Sequence, residues 1–91
     1  MKIRIRSMAG FRHILGRERE VDLSKGSTVE DLLNALCSGH ADLSALLFEG
    51  ADIKEDVNIL ISGKNIKSQK GLKTELSEGD EVVLFPAAIG G

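Results

Sequence analysis

The sequence predicts an α+β domain in which a mixed sheet of four or five strands wraps around one main helix. Three observations carry this. The chain opens with two alternating apolar–polar stretches suited to paired strands. One strongly amphipathic helix pattern follows. Two further apolar runs, at residues 57–61 and 81–85, then supply strands for the middle of the sheet.

Each element has its own signal. Lys2-Ile3-Arg4-Ile5-Arg6 alternates strictly, with Ile3 and Ile5 on one face and three cations on the other, which is a half-buried strand. Phe11, Ile14 and Leu15 stand at helical spacing before Gly16, so residues 9–15 predict a short helical turn. Residues 18–23 alternate again, with Val21 and Leu23 inward, and pair with the first strand as an antiparallel hairpin. Ser27 with Glu30 three residues on reads as a capping box. Val29, Leu32, Leu33 and Leu36 then recur at i, i+3, i+4 and i+7. Cys37 lies on that same stripe with no cation or metal ligand beside it, so it reads as a small core residue rather than a nucleophile. His13 and His40 have no motif partners and read as surface or turn residues.

Residues 42–49 predict a second short helix, capped by Asp42, turning Leu43, Leu46 and Leu47 inward and closed by Gly50. A polar connection leads to Val57-Asn58-Ile59-Leu60-Ile61, a β-branched run for the middle of a sheet. Ser62-Gly63-Lys64-Asn65 is a turn, with Ile66 entering a short return strand. Leu72 and Leu76 anchor a weakly patterned stretch. The turn Glu78-Gly79-Asp80 then feeds the final strand. A hairpin followed by a crossover helix favours a parallel placement of the next long strand. Together these elements make the β-grasp, or ubiquitin-like, arrangement: a domain over residues 1–85 and a flexible tail over 86–91.

Composition narrows the function. Charged residues make up 29% of the 91 residues, apolar residues 42%, and the net charge is −2, with three aromatic residues for stacking. Nucleic acid is therefore not an expected partner. No apolar run approaches the length of a membrane span, and the N-terminus lacks the apolar block of a signal peptide, so a cytoplasmic location is expected. The lone Cys37 excludes a disulfide, a four-cysteine metal site and a ferredoxin-type cluster. No bound cofactor or metal is expected.

The chemistry-bearing stretch is the end, Pro86-Ala87-Ala88-Ile89-Gly90-Gly91. Glycines without Cβ let another active site close around the backbone. Pro86 has no N–H and is expected to end sheet pairing and release the chain. Six extended residues reach about 20 Å. A carboxylate is a poor electrophile, so use of the Gly91 terminus calls for activation, most simply as an acyl-adenylate. If Val82 and Leu84 face the helix, Val83 and Phe85 face outward, and Phe85 at the root of the tail is a candidate interface anchor. Phe11 is placed on the same partner surface, with Phe85 packing on its own sheet under Phe11 as the alternative. Arg4 and Arg6 on one strand face and Arg12 in the following turn are candidates for an electrostatic dock.

The segment Leu76-Ser77-Glu78-Gly79-Asp80-Glu81-Val82, followed by Phe85-Pro86 and the ending Gly90-Gly91, resembles the MoaD/ThiS family of small sulfur-carrier proteins across essentially the whole chain. The length and the segment at residues 39–56 are most similar to the molybdopterin synthase small subunit, and the archaeal ubiquitin-like modifiers share the pattern. Ala87 stands where that family usually has a second proline, which makes for a less stiff tail. The resemblance implies a carrier rather than an enzyme. A ubiquitin-activating-like enzyme would use ATP to adenylate Gly91, a sulfur donor would convert it to a thiocarboxylate, and the sulfur would pass to a pterin precursor in the molybdopterin synthase large subunit. It also implies that Phe85 touches the partner, and that Arg12 contacts the activating enzyme. A lysine-conjugating protein modifier, a thiamine- or tRNA-type sulfur carrier, and a plain binding module with an inert tail are the alternatives.

Overall fold

The computed structural model describes residues 1–87. Strand β1 (Lys2–Ser7) leads into helix α1 (Gly10–Leu15) and strand β2 (Glu18–Asp22). Helix α2 (Val29–Cys37) and helix α3 (Ala41–Leu47) follow, then the two-residue strands β3 (Phe48–Glu49) and β4 (Asp52–Ile53). Strands β5 (Val57–Ile61), β6 (Lys64–Asn65) and β7 (Glu81–Pro86) complete the chain, with two 3-10 turns at Ile66–Ser68 and Gly71–Lys73. The main sheet runs β2-β1-β7-β5-β6.

The alternation expected of β1 is present: Ile3, Ile5 and Ser7 are buried and Lys2, Arg4 and Arg6 exposed. Paired rows then build the core face. Ile5, Val82 and Ile61 form one row, and Ser7, Leu84 and Ile59 the next. Val29, Leu32, Leu33 and Leu36 of α2 cover these rows, joined by Leu43, Leu47, Phe11 and Leu15 from the shorter helices. Burial of several aliphatic side chains at roughly 1.5–3 kcal/mol each is what holds so small a domain. Leu76 is buried and Leu72 packs against the core, so both anchor the irregular stretch as expected.

β1 and β2 are antiparallel, β1 and β7 parallel, and β7 and β5 antiparallel, so β5 runs in the direction of β2. The crossover through α2 therefore keeps its parallel sense, with β1 and β7 lying between its two strands. The hydrogen-bonded parallel pair joins the first and last strands instead.

Several local expectations are corrected. The cap of α2 is Thr28, not Ser27: Thr28 Oγ1 accepts from Asp31 N–H at 3.3 Å, and the Thr28 N–H donates to Asp31 Oδ2 at 2.9 Å. The box sits one residue later, with Asp31 rather than Glu30 as the reciprocal acid, while the backbone of Ser27 pairs with Leu76, whose N–H donates to Ser27 O at 2.9 Å. Helix α3 starts after His40 rather than at Asp42, and it ends at Leu47, where Phe48 and Glu49 pair with Ile53 and Asp52 as a small hairpin. Leu46, expected inward, points outward. Ile66 enters a 3-10 turn and the core rather than a return strand.

Candidate functional site

The parallel pairing of β1 and β7 decides where the end of the chain emerges. β7 lies in the centre of the sheet and finishes at the same edge as β1. Pro86 is still in register with Val57, and the Ala87 N–H donates to Asp56 O at 2.6 Å. Pro86 therefore does not end the pairing. Its missing donor is harmless at this position, and the next residue supplies a hydrogen bond to β5's lead-in. The strand thus includes Pro86, and Ala87 is hydrogen-bonded beside it, both within the segment expected as tail. Ala88, Ile89, Gly90 and Gly91 lie outside the described residues.

The outer face of the sheet is composed by the register. One row crosses all five strands: Glu18, Arg6, Val83, Leu60 and Asn65. The adjacent row sets Phe85 opposite Asn58. Val83, Phe85 and Leu60 are each half-buried, while Val82 and Leu84 are fully buried, so the alternation expected of β7 holds. The result is an apolar patch at the root of the tail. It is bordered on the β1 side by Arg6 and on the β5–β6 side by Asn58 and Asn65, whose side chains meet at 3.4 Å.

Leu60 was not among the expected site residues. Its signal was present, because Asn58 in an otherwise apolar run marks the outward face and Leu60 shares it. Phe11 is corrected in the other direction. At 3% exposure it belongs to the core, since the short helix turns Phe11 and Leu15 beneath the sheet. It is unavailable to a partner, and it sits on the face of the sheet opposite Phe85.

The cations split into two groups. Arg6 lies 3.5 Å from Glu18 and 4.0 Å from Glu81, exposed pairs that contribute little to stability. Arg4 points out from the same strand face. Arg12 is exposed on α1, with its Nε donating to Ser7 O at 3.4 Å. Arg6 thus borders the patch, Arg4 lies one row further off between Glu20 and Glu81, and Arg12 stands at the tail-root end.

The turn before α1 is strained. Ala9 has φ 54° and ψ −131°, a conformation that costs a residue with a Cβ on the order of 1–3 kcal/mol. Just before it, Ser7 is 2% exposed and its hydroxyl has no hydrogen-bond partner among the described residues.

Little else offers chemistry of its own. Among the described residues, no group of three His, Cys, Asp or Glu side chains could hold a metal ion. Burial pushes the Cys37 thiol above its ordinary range, which disfavours the thiolate and supports a packing role. A depression of about 650 Å³ beside the tail root is lined by Glu49, Asp52, Ile53, Lys54, Glu55 and Asp56, without a nucleophile–base pair. No helix among the described residues is long and apolar enough to cross a membrane.

Comparison with known proteins agrees with this geometry. The chain is 33% identical to small archaeal modifier protein 3 of Haloferax volcanii over 94 aligned positions covering the whole of both chains. A Pyrococcus furiosus structure, assigned provisionally as molybdopterin converting factor subunit 1, is 30% identical with a TM-score of 0.77, covering 96% of this chain and 98% of that one. A chain of the Amycolatopsis orientalis BexX/CysO complex is 26% identical with a TM-score of 0.79, covering 98% of this chain and 99% of that one. The five-stranded mixed sheet around a helix is thus the β-grasp fold, as the sequence predicts. A family model matches residues 5–91, and the chain belongs to the ThiS family, the ubiquitin-like sulfur carriers and modifiers.

Proposed function

We propose that this chain is a sulfur carrier whose working group is the Gly91 carboxylate, and that it serves as the small subunit of molybdopterin synthase. The observation that carries the reading is the exit of the tail from the central strand β7, beside a half-buried apolar patch of Val83, Phe85 and Leu60. A partner that grips the patch receives the terminus in the same act. The carboxylate oxygen attacks the α-phosphorus of ATP in a ubiquitin-activating-like enzyme, and pyrophosphate leaves. A sulfur nucleophile then displaces AMP to leave the thiocarboxylate, a soft nucleophile that passes its sulfur to a pterin precursor in the large subunit. The carrier binds no cofactor itself and works in the cytoplasm. The partners provide the acid–base groups and the ATP site, while this chain contributes position and a reactive end.

The test is mass spectrometry of the chain after incubation with ATP, a sulfur donor and the activating enzyme. The full chain should gain the thiocarboxylate mass. A chain lacking Gly90 and Gly91 should gain none, yet unfold at the same temperature. Normal loading of the truncated chain would overturn the proposal.

A second reading is favoured by the whole-length similarity to a small archaeal modifier protein. The same adenylate can be attacked by a lysine amine, joining Gly91 to another protein through an isopeptide bond. A ladder of larger conjugates in cell extract that disappears when Gly91 is deleted would favour this fate. Recovery of the chain in complex with a pterin-binding large subunit would favour the first.

A further inference from the structure

Two large apolar side chains are exposed among the described residues: Met8 at 43% and Leu46 at 39%. Both stand at the end of the sheet where the tail leaves. Met8 lies one position past the β1–β7 ladder, and its N–H donates to Leu84 O at 3.1 Å. Strand alternation therefore sets it on the outer face beside Phe85. Leu46 comes from α3 and lies over the start of α1, where its Cδ1 would be 3.5 Å from a Cβ placed on Gly10. Met8 and Leu46 thus bracket the strained turn at Ala9. Strain of this kind persists only where its surroundings impose it, and it concentrates at ligand clamps and similar working sites.

The length of the tail adds a geometric constraint. With Ala87 held by Asp56, four residues separate the sheet from the end of Gly91, and they span at most about 14 Å. A protein that acts on the Gly91 carbonyl must therefore bring its own surface onto the residues around Ala87.

We propose that Met8 and Leu46 form a collar around the exit of the tail, continuous with Phe85, on which the mouth of the adenylating enzyme's channel sits. The matching surface is an apolar ledge bordered by carboxylates, because Arg12 stands exposed at the same end and pairs with no carboxylate among the described residues. The collar reaches beyond the sheet face and makes α3 part of the recognition surface. It rests on the reading of Gly91 as the adenylated group.

Titration calorimetry of the full chain against its adenylating enzyme, with ATP present, tests the collar. The variants are Met8→Glu, Leu46→Glu, the double variant, and Lys25→Glu at the far end of the molecule as a control. Met8 and Leu46 are exposed, so each variant should unfold at the temperature of the parent chain. Each collar substitution should raise Kd about tenfold and the pair about a hundredfold, while Lys25→Glu stays within about twofold. At saturating enzyme the variants should be adenylated to the parent yield, because Gly91 is unchanged. Unaltered affinity in both collar variants overturns the collar and leaves the carrier reading standing. Failure of the parent chain to be adenylated overturns the carrier reading and the collar with it. A parent dimer that the collar variants turn into monomers, with enzyme affinity unchanged, gives the surface to a second copy and also overturns the proposal.

Discussion

Helices α1 and α2 pack on the same sheet, yet they are held by different means. Helix α2 has a reciprocal capping box between Thr28 and Asp31, acidic residues Glu30 and Asp31 in its first turn, and an unbroken buried stripe. Helix α1 begins at a strained Ala9, has no side-chain cap and no acid in its first turn, and follows a buried hydroxyl without a partner among the described residues. Of the two helices, the favourable local terms belong to α2 and the unfavourable ones to α1, at the end of the sheet where β7 finishes. The first region secures the fold. The second is kept in place by packing from Phe11 and Leu15 rather than by its own preferences.

The sharpest way to break this contrast is to hollow out α2. Leu33 is fully buried against the sheet, and Leu33→Ala should destabilise the domain by about 2–5 kcal/mol. For a chain of this size the thermal midpoint should fall by roughly 10 °C or more, read by calorimetry or circular dichroism. A loss under about 1 kcal/mol would mean that α2 is not what secures the core.

The opposite sign is expected at the other helix. Ala9→Gly relieves the positive φ but adds freedom to the unfolded chain, which takes back roughly 0.5–1 kcal/mol. The net expectation is a gain of about 1 kcal/mol, seen as a higher midpoint in urea at unchanged slope. A loss of stability would mean that the turn is not strained and that α1 differs from α2 only in its missing cap.

The same contrast explains what could be read from the sequence. Patterns repeated over several residues were legible: the alternation of β1 and β7, and the leucine stripe of α2. The capping box was legible in kind but misplaced by one residue. Ser27-Thr28 offers two adjacent hydroxyls, each with an acid three residues on, Glu30 for Ser27 and Asp31 for Thr28, and the local pattern does not separate them. The end of α3 was not legible, because Phe48 leaves the helix to pair with Ile53 and no local signal separates it from Leu47. The outward turn of Leu46 was not legible either, because Leu43, Leu46 and Leu47 share a helical stripe and only the packing of α3 decides that Leu43 and Leu47 are buried and Leu46 is not. In the candidate site, the outward placement of Phe85 followed from period two. The burial of Phe11 depended on which way a six-residue helix turns, a matter of tertiary packing. Nothing about an alanine in sequence announces a left-handed backbone, so Ala9 could be recognised only in three dimensions.

Two hydroxyls put the contrast in its most controlled form. Thr28 Oγ1 accepts the Asp31 N–H, whereas the Ser7 hydroxyl is buried in a row with Leu84 and Ile59 and has no partner among the described residues. Thr28→Ala removes a cap and should cost about 1 kcal/mol. Ser7→Ala removes an unsatisfied buried group whose desolvation costs about 1–3 kcal/mol, and in exchange it leaves a void the size of one oxygen. The expected result is a gain of about 0.5 kcal/mol, measured by urea unfolding of both variants beside the parent chain. If Ser7→Ala instead costs as much as Thr28→Ala, then the Ser7 hydroxyl is satisfied by a buried water, because only a polar partner could make its loss expensive in that apolar row. In that case the approach to α1 would be as well satisfied as the cap of α2, and the asymmetry between the two helices would rest on Ala9 alone.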